Sequence, residues 1–245
     1  MNNIKTHDYK KFAKKYADIG ITDSFYLAYR DIPEIIQKYV HGTKALDHGC
    51  GSGRSSRFLK QLGFETIGID SNQNMIAEAR QRDPHGNYEM IKDNKFPVKD
   101  KSVDLVFSCI VFMEYSSKER IVETLHEMQR VLKDDGTVII ITDTPEAYTG
   151  DWASFCFDFP ENQNLKSGDK AKCVFRGTDI VFYDYVWLDE DYKESFEKAG
   201  FELAATRRPL AKGDEPYQWH SETKLPLWVI YVLKKKKLAT SETIS

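Results

Sequence analysis

The chain has 245 residues, of which 41% are hydrophobic, with a formal net charge of −3 and a pI near 6.1. This length and hydrophobic content suit one domain built around a single sizeable core. The small negative charge gives no overall attraction to nucleic acid or to an anionic membrane. The first residues lack an apolar signal segment, and no stretch approaches the roughly 18 apolar residues of a membrane span. We therefore expect a soluble, cytoplasmic protein without a nucleic-acid or membrane partner.

The predicted elements alternate between strand and helix, which indicates a mostly parallel sheet with helices on both faces. Asp31 is the expected cap of an N-terminal helix that has Pro33 in its first turn. Gly136 is expected to end a helix and start the fifth strand. Strands are predicted over 44–48, 65–69, 88–91, 103–111, 138–141, 201–206 and 225–233, and helices over 55–62, after Ser71, after Ser116 and from Asp189 to Gly200.

The regular alternation stops between residues 143 and 187, where ten of 45 residues are aromatic against 13% in the whole chain. Segments 171–176 and 180–187 flank Gly177-Thr178-Asp179 and predict a β-hairpin. The segment has eight acidic and four basic residues, a net charge of −4 that disfavours a phosphate backbone as substrate. Its aromatic residues are Tyr148, Trp152, Phe155, Phe157, Phe159, Phe175, Phe182, Tyr183, Tyr185 and Trp187.

The four cysteines are Cys50, Cys109, Cys156 and Cys173, and none forms a Cys-x-x-Cys pair. This spacing argues against zinc and iron–sulfur sites, so no metal is expected. Cys50 and Cys109 lie in glycine-rich or apolar segments, which favours reduced thiols over a disulfide framework.

The most informative motif is the run Asp-His-Gly-Cys-Gly-Ser-Gly over residues 47–53, which follows a short apolar stretch and precedes a helical pattern. Glycine allows positive φ and has no Cβ, so such a turn can approach a bulky ligand at backbone distance. The helix that follows points unpaired N–H groups at the same ligand. Asp70 ends the next apolar run, where a carboxylate can accept both hydroxyls of a ribose.

In Asp47, Gly49, Gly51, Gly53 and the later Asp70, the chain resembles the class I S-adenosylmethionine (SAM)-dependent methyltransferases. The resemblance continues through Asp93, through Phe-Pro at 96–97 before 102–106, and through 127–136, so that it covers roughly residues 44–142. His48 stands where the family usually has an aliphatic residue, and we expect weaker packing there without loss of binding.

The resemblance implies one methyltransferase domain over residues 1–245 with an α/β, Rossmann-like, seven-stranded and mostly parallel sheet. Its expected parts are an N-terminal helical cover (1–43), a SAM-binding core (44–142), a β-hairpin lid inserted after strand 5 (143–187), a C-terminal helix and strands (188–237) and a tail (238–245). The lysines at 234–237 are expected to be solvated. The enzyme would use SAM and release S-adenosylhomocysteine.

The resemblance also implies roles for single residues in binding the cofactor. Asp47 would orient the glycine turn and the amino group of SAM, and Asp70 would hold the ribose. Met75 would pack on the adenine, while Asp93, with the Asn94 backbone alongside, would accept from the adenine amino group. Ser108 and Cys109 would line the cofactor, and Tyr29 is a candidate for the methionyl carboxylate. Each also has a plain structural reading: a turn for Asp93, core packing for Met75 and Tyr29, and strand filling for Ser108 and Cys109.

For the acceptor, the predicted wall consists of Tyr148, Tyr183, Tyr185 and Trp187. Aromatic faces together with acids suit a small aromatic or amine-bearing acceptor methylated on N, O or C. A general base is needed only where the attacking atom must lose a proton. The catalytic candidates are Tyr185, His220 and Glu114.

Other functions remain open at this point. A nucleic acid, a protein or a membrane quinone could be the acceptor, although the Asn-Pro-Pro-Tyr motif of some amino-methylating enzymes is absent. A SAM-binding protein without catalysis is another reading. A nicotinamide or flavin site on a similar unit would want glycine at position 54, which is Arg54.

Overall fold

A computed structural model describes residues 14–178 and 180–237 of the chain. Its centre is a seven-stranded sheet in the order β3-β2-β1-β4-β5-β10-β9, parallel except that β10 is antiparallel to both of its neighbours. These strands are β1 (Lys44–His48), β2 (Glu65–Asp70), β3 (Asn87–Met90), β4 (Val103–Cys109), β5 (Leu132–Asp143), β9 (Phe201–Arg207) and β10 (Trp228–Lys235). The helices are α1 (Ser24–Arg30), α2 (Ile32–Tyr39), α3 (Arg54–Gln61), α4 (Gln73–Arg82), α5 (Lys118–Val131) and α6 (Asp189–Lys198). The predicted Rossmann-like sheet is confirmed.

The middle strands are apolar along nearly their whole length because both of their faces are covered. In β4 only Cys109 is more than marginally exposed, and in β5 the last eight residues are all buried. One core cluster contains Phe107 with α1, and the other contains Val106 with α5 and α6. The strand order reverses between β1 and β4, and ligands bind at such a point, beyond the carboxyl ends of the strands.

A second, three-stranded antiparallel sheet follows β5 and consists of β6 (Phe155–Cys156), β7 (Lys170–Phe175) and β8 (Val181–Tyr185). The predicted hairpin strands are present as β7 and β8, and β6 adds a strand that the sequence pattern did not indicate. This small sheet packs on α1 and β10: the Phe25 ring stacks on Phe175 at 5.6 Å, and Phe155 meets Trp228 edge-on at 5.8 Å. It therefore rests against the main core through aromatic contacts.

Two predicted helix caps are wrong by one residue. Asn72, and not Ser71, caps α4 by accepting from the backbone of Asn74 and Met75, because the Asn side chain reaches these N–H groups directly. Ser117, and not Ser116, caps α5 through the N–H of Arg120.

Three further boundaries differ from the prediction. Asp31 precedes α2 but makes no capping bond, because its carboxylate pairs with Arg30. Asp189 lies within α6, where Asp191 accepts from the N–H of Leu188. Gly136 lies inside β5, where a Cβ would collide with Leu132, so close packing explains this glycine.

The lysine run is only partly solvated. Lys234 and Lys235 belong to β10, and their ammonium groups donate to the carbonyls of Tyr39, Asp135 and Leu132. The predicted tail at 238–245, the first 13 residues of the predicted helical cover and Asp179 of the hairpin turn lie outside the described residues.

Within residues 14–178 and 180–237, no helix combines the length and apolarity that crossing a membrane requires. The same residues bring together no group of three or more His, Cys, Asp or Glu side chains that could hold a metal ion.

Candidate functional site

A cavity of about 190 Å³ lies at the carboxyl ends of β1, β2 and β4; we call it the edge cavity. The turn after β1 forms one wall, the start of α4 a second, and the segment after β4 a third. Of the predicted cofactor residues, the ones that line it are Tyr29, Gly49, Gly51, Asp70, Met75, Asn94 and Cys109. Asp47, Gly53, Asp93 and Ser108 do not line it.

The three alternate glycines of the turn all have positive φ, but they are needed for different reasons. A Cβ at Gly49 would lie 2.3 Å from Val111, and a Cβ at Gly53 would lie 2.7 Å from the Tyr88 hydroxyl. At Gly51 a Cβ would meet nothing within 4 Å. The first and third glycines therefore permit packing, whereas the second leaves the cavity open beside the backbone.

Asp70 is joined to the glycine turn by hydrogen bonds. Its Oδ2 accepts from the Gly51 N–H at 2.9 Å and its Oδ1 from the Asn72 N–H at 2.7 Å. Burial raises the pKa of Asp70, and these backbone hydrogen bonds offset part of that rise. The carboxylate keeps further lone pairs for a ligand in the edge cavity.

Asp47 is fully buried behind the turn. Its Oδ2 accepts from the hydroxyls of Ser55 and Ser56 at 2.7 and 2.5 Å, and so ties β1 to the start of α3. Its Oδ1 is buried without a hydrogen-bond partner among the described residues. Burial raises the pKa of Asp47 to about 7, although the two serine hydroxyls lower it. The geometry matches the predicted orienting of the turn, but Asp47 does not reach the cavity surface.

The apolar part of the edge cavity is formed by Met75, Ile91 and Phe96. Asp93 and Asn94 form a tight turn beside it with φ of 48° and 59°. The Asn94 amide oxygen accepts from the Arg120 guanidinium at 2.5 Å, whereas Asp93 is exposed and does not line the cavity.

The edge cavity is also lined by a cation that sequence reasoning missed, Arg54. The Arg54 guanidinium carbon is 4.5 Å from the centroid of Phe25 and 5.1 Å from that of Tyr16. Its Nη1 donates to the Gly20 carbonyl at 3.5 Å, and no carboxylate in the described part of the chain forms an ion pair with it. The sequence signal that could have identified Arg54 is its position directly after the glycine turn.

His48 is a buried hydrogen-bonding residue, and the expectation of weaker packing is wrong. Its ring lies 5.1 Å from Phe96, Nδ1 pairs with the Ser108 hydroxyl at 3.0 Å, and Nε2 pairs with the Tyr115 hydroxyl at 3.2 Å. Burial lowers the pKa of His48 to about 3, so the ring is neutral. Both ring nitrogens are satisfied, which explains why a polar residue is tolerated here. Ser108 serves this pair and is turned away from the cavity.

A second cavity, of about 40 Å³, adjoins the first, and we call it the aromatic chamber. It lies between α1, β10 and the small sheet and shares Tyr16, Ile110 and Glu114 with the edge cavity. Ile110 has φ of 61°, an unusual conformation for a β-branched residue. The aromatic lining residues are Tyr16, Phe25, Phe155, Phe157, Phe175, Phe182 and Trp228, and the acidic ones are Glu114, Asp143 and Asp184.

Two of these acids, Asp143 and Asp184, are almost completely buried. The Tyr148 hydroxyl donates to Asp143 at 3.1 Å, and burial raises the pKa of Asp143 to about 7. Burial, followed by the charges of Asp143 and Glu114, raises the pKa of Asp184 well above its ordinary value. Because like charges this deeply buried oppose each other's ionisation, the pair holds a proton near neutral pH.

The predicted acceptor wall does not line either cavity. Strand β8 alternates its side chains, so Phe182 and Asp184 face the chamber while Tyr183 and Tyr185 lie on the other face. Tyr185 contacts the Lys170 ammonium at 5.1 Å, and the Trp187 ring nitrogen donates to the Tyr115 carbonyl at 3.0 Å.

The remaining acceptor and catalytic candidates differ in whether they contact the two cavities. Tyr148 contacts two residues that line the chamber, Asp143 through its hydroxyl and Phe157 edge-on at 5.3 Å. His220 is outside both cavities, where its Nδ1 pairs with the exposed Asp151 at 2.8 Å. Glu114 alone of the three catalytic candidates lines both cavities.

Comparisons with known proteins show similarity to methyltransferases. A family model described as a methyltransferase domain matches residues 46–140, which include the glycine turn and Asp70. A similar curated protein is the N-demethylindolmycin N-methyltransferase of Streptomyces griseus, 27% identical over 64% of this chain and 68% of its own length. Another is a probable SAM-dependent methyltransferase, TehB, of Haemophilus influenzae, 28% identical over 65% of this chain and 53% of its own length. These matches support a SAM-dependent methyltransferase of class I.

Solved structures show the same fold. The PH0226 protein of Pyrococcus horikoshii superposes on this methyltransferase with a TM-score of 0.65 and 20% identity, covering 93% of this chain and 98% of that protein. A SAM-dependent methyltransferase of Clostridium acetobutylicum gives a TM-score of 0.63 at 14% identity, with coverages of 94% and 99%. The methyl donor of this family is SAM.

The names of the relatives point to different acceptors. A probable tRNA methyltransferase 9B of Mus musculus is 31% identical over 49% of this chain but only 26% of its own length. The methyltransferase thus matches about two thirds, about half and about a quarter of the lengths of these three relatives.

Proposed function

We propose that this enzyme transfers a methyl group from SAM, bound in the edge cavity, to a small molecule bound in the aromatic chamber. The observation that carries the proposal is that the two cavities meet at Tyr16, Ile110 and Glu114. A donor in one and an acceptor in the other would bring their reacting atoms together at this junction. The narrow chamber, enclosed by side chains of α1, β10 and the small sheet, suits a small acceptor.

The edge cavity offers the groups that SAM requires. The carboxylate of Asp70 suits the ribose hydroxyls. The apolar side chains of Met75 and Phe96 suit the adenine. Arg54, a half-buried cation that forms no ion pair with the described residues, suits the methionyl carboxylate. Gly51 leaves free the volume beside the turn.

When bound, SAM supplies an electrophilic methyl group on a positively charged sulfur. The residues of the chain then have to align the acceptor and exclude water. Holding two reactants in near-attack geometry is worth roughly 7–11 kcal/mol. The aromatic walls exclude water from the junction, and Glu114 is placed to accept a proton or to meet the acceptor there.

Two observations favour a small acceptor over a nucleic acid. The lining of the chamber contains three carboxylates and, among the residues described there, no basic side chain, which opposes a phosphate backbone. One of the relatives named above is an N-methyltransferase of a small molecule.

The proposal is tested with SAM carrying a labelled methyl group. The purified enzyme is incubated with a cell metabolite extract and, separately, with total tRNA and with protein. We expect label in low-molecular-mass products together with S-adenosylhomocysteine. Label confined to tRNA or protein would overturn the small-molecule assignment.

Asp70→Ala is expected to weaken SAM binding by roughly 2–3 kcal/mol, because a charge-assisted pair of hydrogen bonds to the ribose is lost. Isothermal titration calorimetry with SAM measures the effect. Asp93→Ala is the matched control, since that carboxylate is exposed outside the cavity, and its affinity should change little. An equal loss in both variants would give Asp93 the predicted adenine contact, and an unchanged Asp70→Ala titration would remove the ribose role.

A further inference from the structure

The aromatic chamber combines ring faces with buried negative charge, and this combination selects a particular acceptor chemistry. Phe175 and Phe182 are in edge-to-face contact at 5.3 Å, and Phe155 lies 4.8 Å from Phe175, so these walls are preorganised. Asp143 enters from the end of β5, and Asp184 from β8 of the small sheet. The two acids thus come from separate sheets and face the same space.

A ligand placed there meets the carboxyl groups of Asp143 and Asp184, which are both almost completely buried. The donor described for Asp143 is the Tyr148 hydroxyl. An anionic ligand would add a further like charge to this pocket. A neutral apolar ligand would leave the acids without new donors. An amine satisfies both features, because its N–H groups donate to carboxylates and its charged form is attracted to ring faces.

We propose that the methyl acceptor is a primary or secondary amine on an apolar, ring-bearing small molecule, whose nitrogen binds to Asp143 and Asp184. This inference rests on the proposed function and narrows it from a small molecule to an amine.

The reaction balances without a further reagent. The bound ammonium first gives a proton to whichever of the two acids is ionised, which frees its nitrogen lone pair. That lone pair forms the N–C bond to the methyl group as the C–S bond breaks, and the bonding pair remains on sulfur. The positive charge passes from sulfur to the methylated nitrogen, and the proton on the carboxyl group leaves to solvent with the products. Because burial raises the pKa of Asp143 to about 7, its carboxylate is a suitable acceptor for this proton.

The experiment examines the labelled products of the metabolite extract. Cation-exchange chromatography at acidic pH separates methylated amines from ethers, esters and C-methylated acids, and NMR with a ¹³C-methyl label identifies the bonded atom. We expect the label on nitrogen in products retained as cations. Label on oxygen or carbon overturns the amine assignment but leaves the proposed function standing, whereas no low-molecular-mass product at all removes both.

Variants then test the two acids. Asp143→Asn and Asp184→Asn keep the shape of the side chains and should each lower kcat/KM for the amine by roughly 10- to 100-fold while leaving SAM affinity unchanged. Asp158→Asn is the control, because that acid is exposed on the segment between β6 and β7 and does not line the chamber. Undiminished kcat/KM in both chamber variants contradicts the proposal. Should either variant melt early, Tyr148→Phe, which removes only the donor to Asp143, provides a second readout through a shifted pH profile of kcat/KM; an unshifted profile contradicts the proposal.

Discussion

Gly51→Leu is expected to weaken SAM binding by roughly 5- to 150-fold and to leave the protein folded. A Cβ at this position has no atom within 4 Å, so the new side chain would enter the edge cavity rather than the protein core. Overpacking of a filled space costs about 1–3 kcal/mol, and here that cost arises only when the ligand is bound. The measurement is calorimetric titration with SAM, combined with thermal unfolding of the ligand-free protein.

Gly177→Leu is the matched control for backbone strain. Gly177 has φ of 72° against 51° for Gly51, and a Cβ there also meets nothing within 4 Å, but it lies in the turn between β7 and β8. A side chain with such a φ costs about 1–2 kcal/mol of stability in either place. Both variants should therefore melt slightly earlier, and only Gly51→Leu should lose the ligand. Equal SAM affinity in the two variants would mean that the cofactor does not lie against the glycine turn.

Glu127→Ala is expected to lower the free energy of unfolding by about 3 kcal/mol. The Glu127 carboxylate is buried in α5, where it accepts from Arg130 at 2.7 Å, from the Phe96 backbone at 2.9 Å and from Lys95 at 2.9 Å. Removing it leaves the buried Phe96 N–H without its acceptor and takes the carboxylate from Arg130, which keeps its bonds to Asp100 and to the Val98 and Phe96 carbonyls. An unsatisfied buried donor costs about 1–3 kcal/mol, and loss of the charged partner adds to this. Because Phe96 lines the edge cavity, SAM affinity should fall as well.

The loss of stability should depend on pH in a defined direction. Burial raises the pKa of Glu127, but the hydrogen bonds from Arg130, Phe96 and Lys95 outweigh it and hold the pKa at about 2, below its ordinary value. The stabilisation by the ionised carboxylate is present above the ordinary pKa and is lost as the pH falls towards 2. Urea unfolding should thus give a difference between wild type and Glu127→Ala that shrinks below about pH 4.5.

Glu123→Ala on the same helix is the control for this prediction. Glu123 pairs with Arg120 at an exposed position, and such pairs contribute about 0–1 kcal/mol. A Glu127→Ala variant that loses no more stability than Glu123→Ala would show that the buried carboxylate does not anchor this segment.

The features that could be predicted from the sequence are local ones. An apolar run followed by an acid and alternate glycines specifies a strand and a tight turn without reference to the rest of the chain. Asp70 and Met75 follow the next strand within a few residues, so their place at the same edge of the sheet follows from the parallel topology. The structure places both residues in the lining of the edge cavity, as the sequence predicts.

The features that could not be predicted depend on distant contacts. The face that β8 turns towards the core is decided by packing of Phe182 on Phe175, which in turn stacks on Phe25 of α1, more than 100 residues away. A shift of one position would exchange Tyr183 for Phe182 on that face. His48 departed from the family pattern, and its partners Ser108 and Tyr115 lie some 60 residues further on. No local pattern contains this information.

The two cavities are lined mostly by different parts of the chain, and this has an evolutionary consequence. Apart from the shared junction, the walls of the chamber come mainly from α1, the small sheet, the end of β5 and the start of β10, whereas the glycine turn and Asp70 belong to the first half of the main sheet. Substitutions such as those at Phe155 or Trp228 can reshape one without disturbing the other. Selection can consequently change which acceptor is methylated, while the residues that bind the methyl donor are inherited unchanged.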